Sequence, residues 1–354
     1  MSLLLAISAL AFLHSLLNFI SIRTVLNKPT TISKKISILI PMRNEAQNAR
    51  DCITALIAQK GLIDFEIIVL DDESTDGTSQ VLSEFPSIKV LKGQALPQGW
   101  LGKNWACHQL SQAATGEILV FLDADVRVRE HAVASAIHQM GNWDFISPYP
   151  RQLSVGFIES IFQPLLHWSW FASVPLIISQ RFKVKSMVVA NGQFLVINKA
   201  SYLVAGGHEE VKDEVLDDLE LAKSLVANGF QGNVAEGSDV ADCLMYRTPK
   251  ELISGYQKSL WRAFGGFAGS IFVALLLLST GVLTLILAIA GSVLAAVSFI
   301  LILASRLLSS LRAKESISKA LWHPLAVLIF VAILIYSWIG KYRGSLKWRD
   351  RVIS

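Results

Sequence analysis

Hydrophobic and polar positions divide the chain into an apolar block, a mixed middle and a second apolar mass. Residues 1–22 carry no Asp, Glu, Lys or Arg, and about 20 apolar residues suffice for a helix to cross a bilayer. The block lacks a basic leader and a small-residue cleavage site, so it reads as an uncleaved anchor. Between 34 and 149 the pattern alternates. The run ISILIPM is β-branched, 47–59 has helical spacing, and FEIIVL is a second strand. The stretch 78–85 is helical, IKVLKG is a short third strand, 104–114 is another helix, and EILVFL closes the series. Strands alternating with helices predict an α/β domain with a mostly parallel sheet covered on both faces. Ligands of such sheets sit outside the carboxyl ends of the strands. The polar signals RNEAQN, DDESTDGT and DADV follow the first, second and last of these strands.

The C-terminal apolar mass runs from 267 to 305 without a charge, and another run spans 321–340. The first of these is long for one crossing and short for two, with Gly281 or Gly291 available for a tight hairpin. The region 266–340 is therefore expected to cross two or three times. The segment 157–178 is apolar and Trp-rich but interrupted by Pro164 and Pro175. It reads as an interfacial or membrane-associated helix, with a further crossing or a buried core segment as the alternatives. Arg23, Lys28, Lys34 and Lys35 follow the first anchor, which puts the 34–265 domain on the cytoplasmic side by the positive-inside rule.

Composition is too apolar for an ordinary soluble protein and too charged in the middle for a simple membrane bundle. The chain is 52% hydrophobic and 17% charged, with mean hydropathy +0.47. From Arg306 onward there are nine basic and two acidic residues, including a basic tail at 341–354. This excess lies beside apolar runs, so anionic lipid headgroups explain it better than nucleic acid, and no nucleic-acid partner is expected. Cys52, Cys107 and Cys243 are far apart, without metal or disulfide spacing, and fit a reducing compartment.

Three carboxylate clusters carry the candidate chemistry. DDESTDGT (71–78) ends a buried strand with two adjacent acids. Helix capping and an Asp-Gly turn account for one or two of its residues, and a carboxylate there can also accept from a base N–H or from ribose hydroxyls. FLDADV (121–126) places Asp123 and Asp125 two residues apart after a buried strand. Solvated turn acids are the bland reading; the chemical one is a Mg²⁺ or Mn²⁺ site completed by substrate phosphates. VLDDLELAKSLVANGF (215–230) opens an amphipathic helix with Asp217 and Asp218, either as dipole-favoured acids or as a general base. Neither GxxxxGK[ST] nor GxGxxG is present, which removes the usual warrant for ATPase or dinucleotide chemistry.

In order and spacing these motifs resemble the membrane-bound family 2 (GT-A type) inverting glycosyltransferases, over roughly 36–265. The resemblance implies a GT-A (Rossmann-like) nucleotide-sugar domain flanked by N- and C-terminal transmembrane helices. It implies Pro41, Arg43 and Glu45 in the first nucleotide-binding strand and loop, Asp72 at the base, and Lys103 of GWLGKNWAC near the nucleotide-sugar. It further implies Asp125 as metal ligand, Asp123 near the ribose or metal, and Asp218 as catalytic base, with Asp217 beside it. The Q-x-x-R-W of processive synthases reads QKSLW here, with Leu260 in the arginine position. Gln257, Trp261 and Arg262 are therefore acceptor-side candidates and not a glucan-holding motif. Length and the GWLGKNWAC segment are more similar to carotenoid-, hopanoid- and ceramide-associated members. The expectation is a metal-dependent transfer of a hexose from a UDP-sugar to an isoprenoid or sphingolipid-like acceptor at the inner membrane. A processive polysaccharide synthase and an inactive scaffold retaining the fold are the alternatives.

Overall fold

The computed structural model of the chain describes residues 1–348 and 351–352. Residues 349–350 and 353–354 of the basic tail lie outside the described residues. The chain forms two compact units, one of 22–151 and 178–243, the other of 1–21, 152–177 and 244–354.

The first unit is built on strands β1 (Ile36–Met42), β2 (Phe65–Asp71), β3 (Lys89–Lys92), β4 (Ile118–Leu122), β5 (Val126–Val128) and β6 (Phe145–Tyr149). After a two-residue strand, β7 (Arg151–Gln152), follow β8 (Phe194–Asn198), β9 (Gly232–Glu236) and β10 (Ala241–Cys243). Seven of them form a sheet in the order β3-β2-β1-β4-β8-β6-β9. The neighbours β1–β2, β1–β4, β2–β3 and β6–β9 are parallel; β8 runs antiparallel to β4 and β6. Every residue of β1 except Pro41 is buried, as are all five of β4, which is why these strands read as continuous apolar runs. Leu39, Ile68, Leu119 and Phe121 pack with Leu110, Leu221 and Leu225 from helices Gly102–Ala113 and Asp217–Ala227. Gly116 comes so close to β1 that an added Cβ would lie 2.5 Å from the Ser37 nitrogen; only glycine fits there. Arg23 stacks on Trp143, 3.5 Å from the ring centre, and donates to the Gln139 and Met140 carbonyls. Val25 N–H donates to the Glu236 carbonyl at 2.8 Å, so the chain entering this unit is fastened to the β9 edge.

The predicted strands in 36–122 are all present, and the predicted helices appear as Ala46–Ile57, Thr78–Ser83 and Gly102–Ala113. The third starts two residues earlier than its spacing implied, so Lys103 belongs to its first turn.

Among the described residues the second unit holds four helices long and apolar enough to cross a membrane: Ser2–Ser21, Phe267–Ile289, Val293–Arg312 and His323–Tyr342. The turn between the second and third lies at Gly291 (φ +95°), and Ser292 caps the third by accepting from the Ala295 amide. Gly281 lies inside a helical stretch instead. The apolar run reads as ending at Ser305, yet the helix continues seven residues further. Arg306 is fully buried and donates to the carbonyls of Ile161 and Pro164, so its charge is received by backbone oxygens of a neighbouring helix and does not end the helix. That neighbour, Phe157–Ser173, packs against Ser2–Ser21, Val293–Arg312 and His323–Tyr342. Its end is set by Asn18, whose amide donates to the Phe171 and Val174 carbonyls and accepts from Leu176 N–H. One buried side chain thereby satisfies backbone groups that Pro175 leaves without helical partners.

Candidate active site

The carboxyl ends of β1, β2 and β4 bring most of the expected residues together. After β1, the loop at 43–45 interlocks with the turn after β2. Asn44 takes φ +54°, its amide donates to Ser74 Oγ (2.9 Å), and the next two amides reach Thr78 Oγ1 and Asp76 Oδ2 (2.9 Å each). Asp71 accepts from the Ser74 amide and the Ser79 hydroxyl. Asp71 and Asp76 are thus consumed by the turn itself. Asp72 differs: Arg43 Nη1 donates to its carbonyl at 2.7 Å and sits 3.5 Å from its carboxylate. Gly93, at the end of β3, lies so close that a Cβ there would be 3.1 Å from Asp72 Oδ1. Part-buried Arg43 and buried Asp72 form a charged pair at the strand ends, with Glu73 3.7 Å from the same guanidinium nitrogen.

A concavity beside them is lined by Pro41, Lys103, Asp123, Gly192, Asp217 and Asp218, with His208 in its wall. Lys103 Nζ lies 3.0 Å from Asp123 Oδ1. Burial alone would lower the Lys103 pKa, but the charges of Asp123, Asp217 and Asp218 hold it well above the ordinary lysine range. Asp218 accepts from Gly192 N–H at 2.6 Å and Leu219 N–H at 2.8 Å, one to each oxygen. Its pKa is pushed up to about 6, by burial first and then by the like charge of Asp217. A carboxylate aimed by two amides and titrating near neutrality is suited to accept a proton.

Asp125 sits behind Asp123. Burial, reinforced by the charges of Asp123 and Glu45, pushes it up to about 7. It accepts from the Cys243 thiol, while its buried Oδ1 has no hydrogen-bond partner among the described residues. A buried oxygen left without a donor, in the field of the Asp123 and Glu45 charges, fits a cation. Among the described residues no three His, Cys, Asp or Glu side chains converge as a closed metal cage. A hard divalent ion here would take one or two carboxylates and complete its shell with substrate oxygens and water.

Of the acceptor-side candidates, Asp217 lines the concavity, 3.9 Å from His208 Nε2. Gln257, Trp261 and Arg262 belong to the other unit. There Ser337 Oγ donates to the Gln257 carbonyl and accepts from Trp261 N–H, and Lys341 and Arg262 lie over the Trp261 ring.

Sequence reasoning missed His208 and Gly192. His208 is buried, bonded through Nδ1 to the Tyr202 hydroxyl at 2.8 Å, and burial pushes it down to about 3, so the ring is neutral. A lone His after two glycines carries no periodic signal. Gly192 does not announce itself either; its role is visible only where its amide meets Asp218.

Comparison with known proteins agrees with this geometry. Residues 37–192 match the family model described as glycosyl transferase family 2. The 4,4'-diaponeurosporenoate glycosyltransferase of Staphylococcus aureus is 27% identical over 337 residues, covering 91% of this chain and 88% of that protein. A mannosyltransferase from Pyrobaculum calidifontis, solved in complex with GDP-Man and Mn²⁺, matches with TM-score 0.55 at 16% identity, over 99% of each chain; that likeness concerns the fold. Residues 37–192 thus match the family 2 glycosyltransferases on a GT-A-like α/β fold, and over most of its length the chain is similar to a diaponeurosporenoate glycosyltransferase.

Proposed function

We propose that this enzyme transfers a hexose from a UDP-sugar to a hydroxyl or carboxyl of an isoprenoid or sphingolipid-like lipid, in one step with inversion at the anomeric carbon. One arrangement carries the proposal: Lys103, Asp123 and Asp218 line one concavity at the strand ends, with the Arg43–Asp72 pair beside it. Asp72, oriented by Arg43, accepts from the base; Pro41 and Glu45 border the nucleotide. Asp123 meets the ribose or the cation, and Lys103 neutralises charge on the donor. Asp125, with Asp123 near it, would hold a divalent ion, Mg²⁺ or Mn²⁺, which when bound offsets the charge of the departing diphosphate. Asp218 takes the acceptor proton when the acceptor is a hydroxyl, and Asp217 keeps its pKa high enough for the task. A carboxylate acceptor has no proton to give and would need Asp218 less.

The lipid acceptor is supported by the apolar helices and by the relative, whose name specifies a diaponeurosporenoate. The helices are read as crossing the inner membrane with the 34–265 domain in the cytoplasm, and the basic C-terminal residues as meeting anionic headgroups. Gln257, Trp261 and Arg262 are assigned to the acceptor side. The test is Asp218→Asn: UDP binding by calorimetry stays within about twofold of wild type while transfer to a hydroxyl acceptor falls by a factor of about 10² or more. Wild-type turnover in that variant would overturn the base assignment.

A further inference from the structure

The catalytic candidates Lys103 and Asp218 come from segments far apart in sequence, and something must hold them in register. Helix Asp217–Ala227 does not do so with its own cap: its N-cap is Leu216, which makes no side-chain capping bond. The loop before it is gripped from outside. Asn104, only 1% exposed, donates its side-chain amide to the carbonyls of Val211 (2.6 Å), Glu214 (3.0 Å) and Lys212 (3.3 Å). The Leu101 amide adds a bond to the Lys212 carbonyl at 2.8 Å. Two amide hydrogens shared among three carbonyls fix that loop to the first turn of helix Gly102–Ala113, the turn that carries Lys103.

We propose that Asn104 is a positioning residue, which ties the loop at 211–216 to the Lys103 turn and so sets where Asp218 meets the donor. The inference rests on Asp218 as the base. Removing the side chain leaves three loop carbonyls without their common donor, and the loop can drift while the sheet stays intact. Displacement of a reacting group by about 1 Å costs up to roughly a hundredfold in rate.

The test uses the full chain in detergent micelles with Asn104→Ala and Asn104→Ser, which retains one donor. For Asn104→Ala the expected kcat is ten to a hundred times lower, as a rough range, with UDP affinity within about twofold of wild type. Amide hydrogen exchange should accelerate in 211–219 and stay unchanged in β1 and β4; Asn104→Ser should fall between. A folded Asn104→Ala protein with wild-type kcat overturns the proposal. So does a loss of UDP affinity matched by faster exchange across the sheet, which would mean that Asn104 supports the whole fold. Should Asn104→Ala fail to fold, Asn104→Ser decides by the same criteria. The exchange result separates this proposal from the base assignment: wild-type turnover in Asp218→Asn removes the base, yet leaves a loop loosened by Asn104→Ala as observed.

Discussion

Asp218 is held near pKa 6 by opposing neighbours, and the balance can be tipped either way: burial and Asp217 raise it, Lys103 lowers it. Lys103 Nζ and Asp218 Oδ2 each lie within 3.4 Å of where a Cβ on Gly192 would stand. They are thus less than about 7 Å apart, where unit charges interact by about 2.4 kcal/mol at an effective dielectric of about 20. That corresponds to about 1.7 pH units. The Lys103 side chain is 26% exposed, and solvent screening reduces the effect to about one unit. The working form of the base is the carboxylate, so the acid limb of kcat/KM follows its pKa in the free enzyme. Lys103→Met removes the stabilising cation and should move that limb up by about one unit, towards 7. Asp217→Asn removes the like charge and should move it down, below 6. Initial rates of label transfer to a hydroxyl-bearing lipid, measured from pH 5 to 9 in detergent, read both shifts. A limb that stays in place in both variants, or moves the same way in both, refutes the electrostatic reasoning.

Two further outcomes follow from the structure. Asp125→Asn should abolish the increase in UDP affinity that Mn²⁺ produces in calorimetry while leaving metal-free UDP binding within about twofold; a retained Mn²⁺ effect would count against Asp125 as ligand. Arg306→Ala removes the bonds that this buried guanidinium adds to the Ile161 and Pro164 carbonyls, and the packing of its side chain, inside the helical unit, which should cost about 1–3 kcal/mol. A lower Tm in detergent with unchanged UDP binding is the expected reading, and an unchanged Tm would contradict it.

Strands β1, β2 and β4 were legible because parallel strands buried on both faces are continuous apolar runs, while the mostly exposed β3 showed only as the short alternating IKVLKG. The carboxylates were legible because acids ending such runs are costly without a purpose. The strands after 140 were not: β8 runs antiparallel between parallel neighbours, and its short segment FLVIN sits between a loop and a helix without a repeating signal. DDESTDGT could not be divided by eye. Only the hydrogen bonds show that Asp71 and Asp76 build the turn while Asp72 pairs with Arg43. Asn104 stayed hidden because its partners lie in an irregular loop 107 or more residues further along the chain, and His208 because a lone histidine after two glycines carries no periodic signal. Arg306 misled for a physical reason, since a charge in an apolar run marks a boundary unless something buried receives it.

The central claim is sugar transfer from a nucleotide to a membrane lipid, and its most direct test is product analysis. Membranes containing the wild-type chain or Asp218→Asn are incubated with labelled UDP-sugars and, in parallel, GDP-mannose; the lipid phase is then extracted for mass spectrometry and the anomeric configuration read by NMR. The expected product is one hexose on one lipid class from a UDP donor, with the anomeric configuration inverted, and it is lost in Asp218→Asn when the linkage is to a hydroxyl. Label confined to a polymer, absent from the lipid phase, or delivered with retained configuration would contradict it.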